Sequence, residues 1–116
     1  MRLYFSYSKD VIFTLDYQFR ILSISPNVER LFGYKSEELI GRTFLETGIL
    51  SPKETEDAVD DFQHVFSGRV SNSSLYEFIT KYGGRKFGEV NWLPIKPKDH
   101  VRTITAMVRD ITESIK

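Results

Sequence analysis

The chain contains no cysteine among its 116 residues. This absence excludes disulfide scaffolds, cysteine-ligated metal sites and thiol nucleophiles. No apolar stretch approaches the roughly 18 consecutive residues that a membrane-spanning helix needs. The first residues also lack the pattern of a secretory signal peptide. These absences predict a soluble, cytoplasmic domain that makes no contact with a membrane.

The chain also lacks a net charge, because sixteen basic residues balance sixteen acidic ones. A balanced surface creates no field that attracts nucleic acid, and we expect no nucleic-acid partner. The adjacent carboxylates of Asp60-Asp61 and Glu37-Glu38 point apart on a helix, so they do not form a catalytic pair. Gly83-Gly84 lacks the following helix and the Lys-Ser/Thr of a phosphate loop. We therefore expect neither a metal site nor catalysis by this domain alone.

What the chain does contain suffices for one small domain. Its length lies within the single-domain range of about 50–200 residues, and 41% of its residues are hydrophobic. Runs rich in β-branched and aromatic residues predict strands. The predicted strands cover residues 10–16, 20–24, 74–80, 86–93 and 101–109. Gly83-Gly84 predicts a tight hairpin turn because both glycines can adopt positive φ. Pro94 and Pro97 predict the end of the fourth strand.

Helix signals occupy the middle of the chain. Ser25-Pro26 predicts an N-terminal cap and first helical residue, and Gly33 predicts the helix end. The segment from Ser36 to Gly41 repeats this pattern in a shorter form. Ser51 and Glu54 have the spacing of a capping box and predict the longest helix, which should end at Gly68. Its expected buried side chains are Val59, Phe62 and Phe66.

These residues, in this order, resemble the PAS family of sensor domains. Residues 25–42 read SPNVERLFGYKSEELIGR, similar to the family segment N-P-x-x-E-x-x-x-G-Y-x-x-E-E-x-x-G-x. Phe66-Ser67-Gly68, the Gly84 hairpin, Pro94-Ile95 and Asp110-Ile111-Thr112-Glu113 follow at the family's spacing. One departure is Phe19, which stands where family members often carry a turn glycine.

The resemblance implies an α+β PAS-like fold, a five-stranded antiparallel sheet with short helices packed over one face. Its first and last strands should be neighbours. Residues 10–113 would form the PAS domain and residues 1–9 an N-terminal flanking segment. Residues 114–116 would begin a linker to a C-terminal output domain in cis, either a histidine kinase or a cyclic-dinucleotide enzyme of the GGDEF/EAL type.

Each cofactor known from the PAS family requires particular residues, and the sequence can be checked for them. Covalent flavin photochemistry needs a cysteine and is therefore excluded. Non-covalent flavin is not expected, because the positions of its amide ligands fall on Ile79, Glu89 and Val108. Haem is not expected either, since His64 lies several turns after the family's ligand position near Asp57. The cofactor, if any, stays unknown at this point.

The family register predicts which strand residues line the central cavity. The candidates are Leu75, Glu77, Ile79, Glu89, Asn91, Leu93, Ile104, Ala106 and Val108. Clustered Glu77, Glu89 and Asn91 would favour a small polar or cationic ligand, because a buried carboxylate needs a donor or cationic partner. The alternative is that these glutamates bond helix backbone, pair with an arginine, or face outward after a one-residue register slip.

The resemblance also implies a signal-relay site at the end of the last strand. Asp110 should pair with a basic group of the central hairpin, Arg85 or Lys86, with Thr112 beside it. In the alternative, Asp110 and Thr112 merely cap the strand end. We expect a sensory relay module that binds a small molecule, or alternatively a ligand-free scaffold for dimerisation and protein–protein interaction.

A homodimer is expected through Met1 to Tyr7 and an outer sheet face that carries Val90 and Trp92. The alternative is that Met1 to Tyr7 folds over its own sheet and buries Trp92.

Overall fold

The computed structural model describes residues 9–66, 73–95 and 103–115. The elements in chain order are β1 (Asp10–Asp16), β2 (Ile21–Ile24), α1 (Val28–Phe32), α2 (Ser36–Leu39), α3 (Phe44–Thr47), α4 (Pro52–Phe66), β3 (Ser74–Ile79), β4 (Arg85–Ile95), β5 (Thr103–Asp110) and α5 (Thr112–Ile115). Gly68, Pro97 and the segment Met1 to Tyr7, which carried sequence predictions, lie outside the described residues.

The strands form one five-stranded sheet in the order β2-β1-β5-β4-β3. Every neighbouring pair is antiparallel. The first and last strands lie side by side, with Val11 paired to Val108 and Leu15 paired to Ile104. The predicted fold class and the non-sequential pairing are thus confirmed.

The prediction that Pro94 ends β4 is wrong. The strand continues to Ile95, where Pro94 pairs with Ile104 and Ile95 pairs with Thr103 of β5. On its other side β4 is paired only as far as Val90, which faces Ser74. Among the described residues no strand pairs with β4 on that side beyond Val90, and proline is tolerated where no neighbouring strand needs its missing N–H.

The N-termini of the first two helices differ from prediction, and Ser36, the expected cap of α2, is instead its first helical residue after Lys35. Helix α1 begins at Val28, after an Asn27 cap position whose side chain makes no cap bond. The Ser25 hydroxyl instead accepts a hydrogen bond from the Ile12 amide at 2.9 Å. Gly33 ends α1 at φ +85°, as predicted. The Ser25 hydroxyl could either cap the helix or bond to another segment. Here it bonds to β1 and so links the residues before α1 to that strand.

At the start of the long helix α4, one of the two hydrogen bonds of the expected capping box is present. The Ser51 hydroxyl accepts from the Glu54 amide at 3.2 Å, but the Glu54 carboxylate accepts from the Glu77 amide of β3 at 2.9 Å. The residues buried along α4 are Thr55, Ala58, Phe62 and Val65. Of the predicted face, Phe62 is buried and Val59 is only partly buried; the side chain of Phe66 lies outside the described part.

The predicted orientation of β3 and β4 is wrong by one residue. Tyr76 and Phe78 of β3, and Val90 and Trp92 of β4, are buried under the helices. The other set therefore lies on the outer face: Leu75, Glu77, Ile79, Glu89, Asn91 and Leu93. Leu75 is 55% exposed and Leu93 is 46% exposed.

This inversion follows from the period of a strand, because a slip of one position moves every side chain to the opposite face. The rings of Tyr76, Phe78 and Trp92 bury more apolar area than the leucines and glutamates of the other face would bury in the same positions. On β5 the prediction is confirmed, since Ile104, Ala106 and Val108 are buried. Val90 and Trp92 consequently cannot form the outer patch proposed from the sequence.

Candidate functional site

The end of β5 carries a cluster of hydrogen bonds around one carboxylate. Asp110 Oδ1 accepts from the Thr112 hydroxyl at 2.6 Å and from the Thr112 amide at 3.0 Å. Its Oδ2 accepts from Lys86 Nζ at 3.1 Å. The arrangement is local chemistry, because aspartate readily accepts from the backbone two residues onward. Asp110 and Lys86 are thus brought together as predicted.

The same cluster joins the backbone of the chain exit to β4. The Thr112 hydroxyl oxygen accepts from the Phe87 amide at 3.0 Å, and the Phe87 carbonyl accepts from the Ile111 amide at 2.9 Å. Thr112 therefore both donates and accepts through one hydroxyl. We call Asp110, Thr112, Lys86 and the Phe87 backbone the exit cluster.

The electrostatics of Asp110 favour its charged form. Burial by itself raises the pKa of this carboxyl group. The hydrogen bonds from the Thr112 hydroxyl and amide, followed by the Lys86 ammonium, outweigh burial and hold the pKa below its usual value. The carboxylate is therefore ionised at neutral pH, and only 10% of its side chain is exposed.

Arg85, the other basic candidate, does not contact Asp110. Its guanidinium pairs with Glu77 Oε1 at 3.1 Å. Successive residues of a strand point to opposite faces, so only one of Arg85 and Lys86 can reach the helix-covered side on which Asp110 lies. The register assigns that role to Lys86, because Asp110 is paired with Gly88, two residues along from Lys86.

A second set of contacts joins the β3–β4 hairpin to the helices. The Tyr34 hydroxyl donates to the Ile79 carbonyl at 2.9 Å, and the Lys81 amide donates to the Phe32 carbonyl at 3.0 Å. Lys81 Nζ also pairs with Glu38 Oε1 at 2.6 Å. This hydrogen bond lowers the pKa of Glu38 and raises that of Lys81.

Sequence reasoning missed these helix–hairpin contacts. Their partners are separated by 43 positions for Glu38 and Lys81, and no local pattern marks a pair at that distance.

The space between the helices and the sheet is filled by side chains. Among the described residues, one cavity between the helices and the sheet has a volume of about 10 Å³ and an entirely apolar lining. Its lining residues are Phe19, Phe44, Leu50, Ala58, Tyr76, Phe78, Val90, Trp92, Ala106 and Val108. The three predicted β5 residues are thus in the core, and Ala106 and Val108 line the cavity. The predicted cluster of Glu77, Glu89 and Asn91 is on the other face, so the polar chamber inferred from the sequence does not form.

One polar cluster does lie between α4 and the sheet. The Tyr76 hydroxyl donates a hydrogen bond to Asp61 Oδ2 of α4, and Ser74 Oγ donates to the same oxygen at 2.9 Å. Burial raises the pKa of Tyr76 and the bond to Asp61 raises it further, while Ser74 and Trp92 act in the opposite direction. Trp92 Nε1 is buried and lies near enough to the Tyr76 hydroxyl to lower the pKa of that group, but it makes no hydrogen bond of good geometry among the described residues.

Two further observations bear on the sequence predictions. Within residues 9–66, 73–95 and 103–115, no group of three or more acidic or histidine side chains is arranged to hold a metal ion, and His64 is exposed on α4. In the same ranges, no helix has the length and apolar character needed to cross a membrane.

Comparison with known proteins agrees with the geometry. The model of the PAS fold family matches residues 5–116, and no curated protein matches the chain. The chain therefore belongs to the PAS fold family, whose members are typically sensory, non-catalytic modules of signalling proteins.

Three solved structures place this fold among known domains. A PAS domain from Colwellia psychrerythraea is 23% identical, with a TM-score of 0.79 over 96% of this chain and 93% of that chain. A PAS domain from a two-component sensor histidine kinase is 14% identical, with a TM-score of 0.70 over 94% and 91%. A domain of an HTR-like protein from Haloarcula marismortui is 20% identical, with a TM-score of 0.65 over 90% and 100%.

Proposed function

We propose that this domain is a signal-relay module whose output passes through the exit cluster. The observation that carries this proposal is the double attachment of the β3–β4 hairpin. At one end Lys86 and the Phe87 backbone hold Asp110 and Thr112. Near its turn, Lys81 is bonded to α2 through Glu38. A displacement of the helices therefore reaches the chain exit through the hairpin, which is attached to α2 at Lys81 and to the exit cluster at Lys86.

The coupling requires no catalysis by the domain. A ligand or partner changes the output only if it binds two arrangements of the domain with different affinity. Coupling free energies between sites are typically about 1–3 kcal/mol. The exit cluster comprises a few hydrogen bonds to one ionised group, so its free energy falls in that range. Rearranging it is thus sufficient to redirect the chain beyond β5.

The proposal includes the organisation expected from the sequence. Residues 10–113 form the relay domain, residues 1–9 flank it, and residues 114–116 begin a linker to an output domain in the cytoplasm. The output domain is a histidine kinase or a cyclic-dinucleotide enzyme. The structural likeness to a PAS domain of a two-component sensor histidine kinase supports the first of these.

The relay is tested by separating stability from output. Lys86→Met and Thr112→Val are introduced into the protein that carries the output domain, and activity is measured well below each variant's melting temperature. We expect changed basal or stimulated output in both variants. Glu113→Ala is the matched control, because Glu113 is 81% exposed and its contact with Lys9 is 3.7 Å long. Unaltered output in both folded variants would show that Asp110 and Thr112 act only as a strand-end cap.

A second candidate function is a ligand-free dimerisation scaffold, which the outer sheet face favours. Leu75 and Leu93 are exposed there. Ile12 and Met107 are paired on the central strands β1 and β5, and strand alternation places them on the same face. These apolar side chains share the face with Asn91, which is paired with Met107, and Glu89, which is paired with Leu75. Non-obligate interfaces have a mixed apolar and polar composition of this kind. We expect sedimentation at high micromolar concentration to show a homodimer, and Leu93→Asp to dissociate it; a wild-type monomer at that concentration would remove this candidate.

A further inference from the structure

Strand β3 lies at one edge of the sheet, and the helical layer binds the backbone groups on its outer side. The Glu77 amide donates to Glu54 Oε2 of α4 at 2.9 Å. The Ile79 amide donates to the Ile49 carbonyl at 2.8 Å, and the Ile79 carbonyl accepts from the Tyr34 hydroxyl at 2.9 Å. Uncovered, a row of such groups is a template for pairing with another chain. The helices and the segment before α4 therefore close this edge where a further strand would otherwise fit.

This cover ends at Glu77. The backbone amides of a strand alternate between its two sides, so Leu75, two positions earlier, also directs its amide and carbonyl groups outward. Within the described ranges no hydrogen bond reaches these two groups, and the Leu75 side chain is 55% exposed. Among the described residues, the contact between Glu54 and Glu77 is therefore the last one that closes the edge. Its loss would leave the outer side of residues 73–77 open.

The Glu54 carboxylate has an alternative donor within its own helix. Glu54 lies in the first turn of α4, and its amide donates to the Ser51 hydroxyl at 3.2 Å. In a complete capping box the Glu54 carboxylate would return to the Ser51 amide, whereas here it reaches the Glu77 amide of β3. Rotation about the side-chain bonds of Glu54 exchanges these two donors. The contact with β3 can therefore open while α4 stays folded and capped.

We propose that the Glu54 carboxylate keeps residues 73–77 closed to a second copy of the chain, and that its release lets two copies pair antiparallel through this edge. A second copy fits because the segment is self-complementary about Leu75. A two-fold axis at Leu75 places Leu75 against its own copy and Glu77 against Ser73 of the second copy, so no two carboxylates face each other. Each of these residue pairs would exchange two backbone hydrogen bonds, and the Glu77 amide that Glu54 now binds is one of the donors. This pairing depends neither on the relay through the exit cluster nor on the outer sheet face.

The test separates this edge from the outer sheet face. All variants carry Leu93→Asp, so that association through the outer face does not contribute. Glu54→Ala removes the acceptor of the Glu77 amide, and Glu54→Gln keeps an acceptor oxygen. Glu56→Ala is the matched control, because Glu56 is exposed in the first turns of the same helix. Glu54→Ala combined with Leu75→Lys places two like charges opposite each other at the two-fold axis, which opposes pairing.

Sedimentation equilibrium gives the dimer dissociation constant, and amide hydrogen exchange in ¹H–¹⁵N spectra reports on the Leu75 and Glu77 amides. The apparent affinity is reduced by the fraction of molecules whose edge is closed, so we expect Glu54→Ala to dimerise at least about ten-fold more tightly than Glu54→Gln or Glu56→Ala. Exchange at both amides should slow as the concentration of Glu54→Ala rises, and Leu75→Lys should restore the monomer.

If Glu54→Ala does not fold, Glu54→Asp replaces it with the same expected order, because its carboxylate is one methylene shorter in reach. A folded Glu54→Ala or Glu54→Asp variant that is monomeric at high micromolar concentration would overturn the proposal, and so would association equal to that of Glu56→Ala. A dimer that persists with Leu75→Lys, or that leaves the Leu75 and Glu77 amides unprotected, would show that another surface holds it and would overturn the pairing of β3.

Discussion

Replacing Asp110 with alanine removes the acceptor at the centre of the exit cluster. Thr112 then loses two hydrogen bonds and Lys86 loses its ionic partner. A hydrogen bond to a charged group contributes about 1.5–3 kcal/mol, whereas an ion pair whose lysine is 33% exposed contributes about 0–1 kcal/mol. Because both Thr112 bonds depend on one residue, we estimate about 2 kcal/mol for Asp110→Ala and about 0.5 kcal/mol for Lys86→Met.

These free energies convert to melting temperatures through the entropy of unfolding. With an unfolding entropy of about 2.1 cal/mol/K per residue, the melting temperature of a domain of this size falls by about 4 °C for each kcal/mol of stability that is lost. We expect a decrease of about 8 °C for Asp110→Ala and about 2 °C for Lys86→Met, measured by calorimetry or circular dichroism. Glu113→Ala should stay within about 1 °C of the wild type, because exposed pairs contribute little.

The two decreases in melting temperature distinguish two roles for the Asp110 carboxylate. Equal losses in Asp110→Ala and Lys86→Met would mean that the ion pair, and not the bonds to Thr112, holds the exit. No loss in Asp110→Ala would refute the exit cluster as a stabilising contact, and the relay proposal would lose its structural basis. A double-mutant cycle between the two positions should give a coupling of about 0.5 kcal/mol.

Three further predictions use other features of the fold. Gly88→Ala should destabilise the domain by about 1–3 kcal/mol in urea, because its Cβ would lie 2.7 Å from Phe78 Cε1; an unchanged midpoint would contradict this close packing. The pKa of Asp110 is lowered in the folded state, so its stabilisation is complete above about pH 4 and is lost as pH falls through the folded pKa. The stability difference between wild type and Asp110→Asn should therefore shrink in acid, and a difference that grows there would contradict the sign. Tyr76→Phe should cost about 1–2 kcal/mol in chemical denaturation, because Asp61 loses its hydrogen bond from the phenol; a neutral result would show that Asp61 is satisfied without it.

The amino-acid sequence by itself determined the order of the elements and the class of fold. Alternating β-branched and aromatic residues predict strands wherever they occur, and Gly33 ends its helix because glycine adopts positive φ without steric cost. The pairing of Asp110 with a basic residue of the hairpin was expected from the family resemblance, which left Arg85 and Lys86 as the two candidates. The strand patterns and the Gly33 cap are local signals, and they survive folding because the rest of the chain does not oppose them.

Tertiary structure alone decided which face of β3 and β4 is buried. Leu75 and Tyr76, or Leu93 and Trp92, are adjacent apolar residues, so either face could serve as the core. The choice depends on which set fits against α4 and β5, and no residue nearby in sequence encodes that fit. For the same reason the bond between Glu38 and Lys81 left no trace in the sequence pattern. Phe19 has a φ of +66° and is only 7% exposed, and the burial of its ring is a property of the assembled core that the turn sequence does not encode.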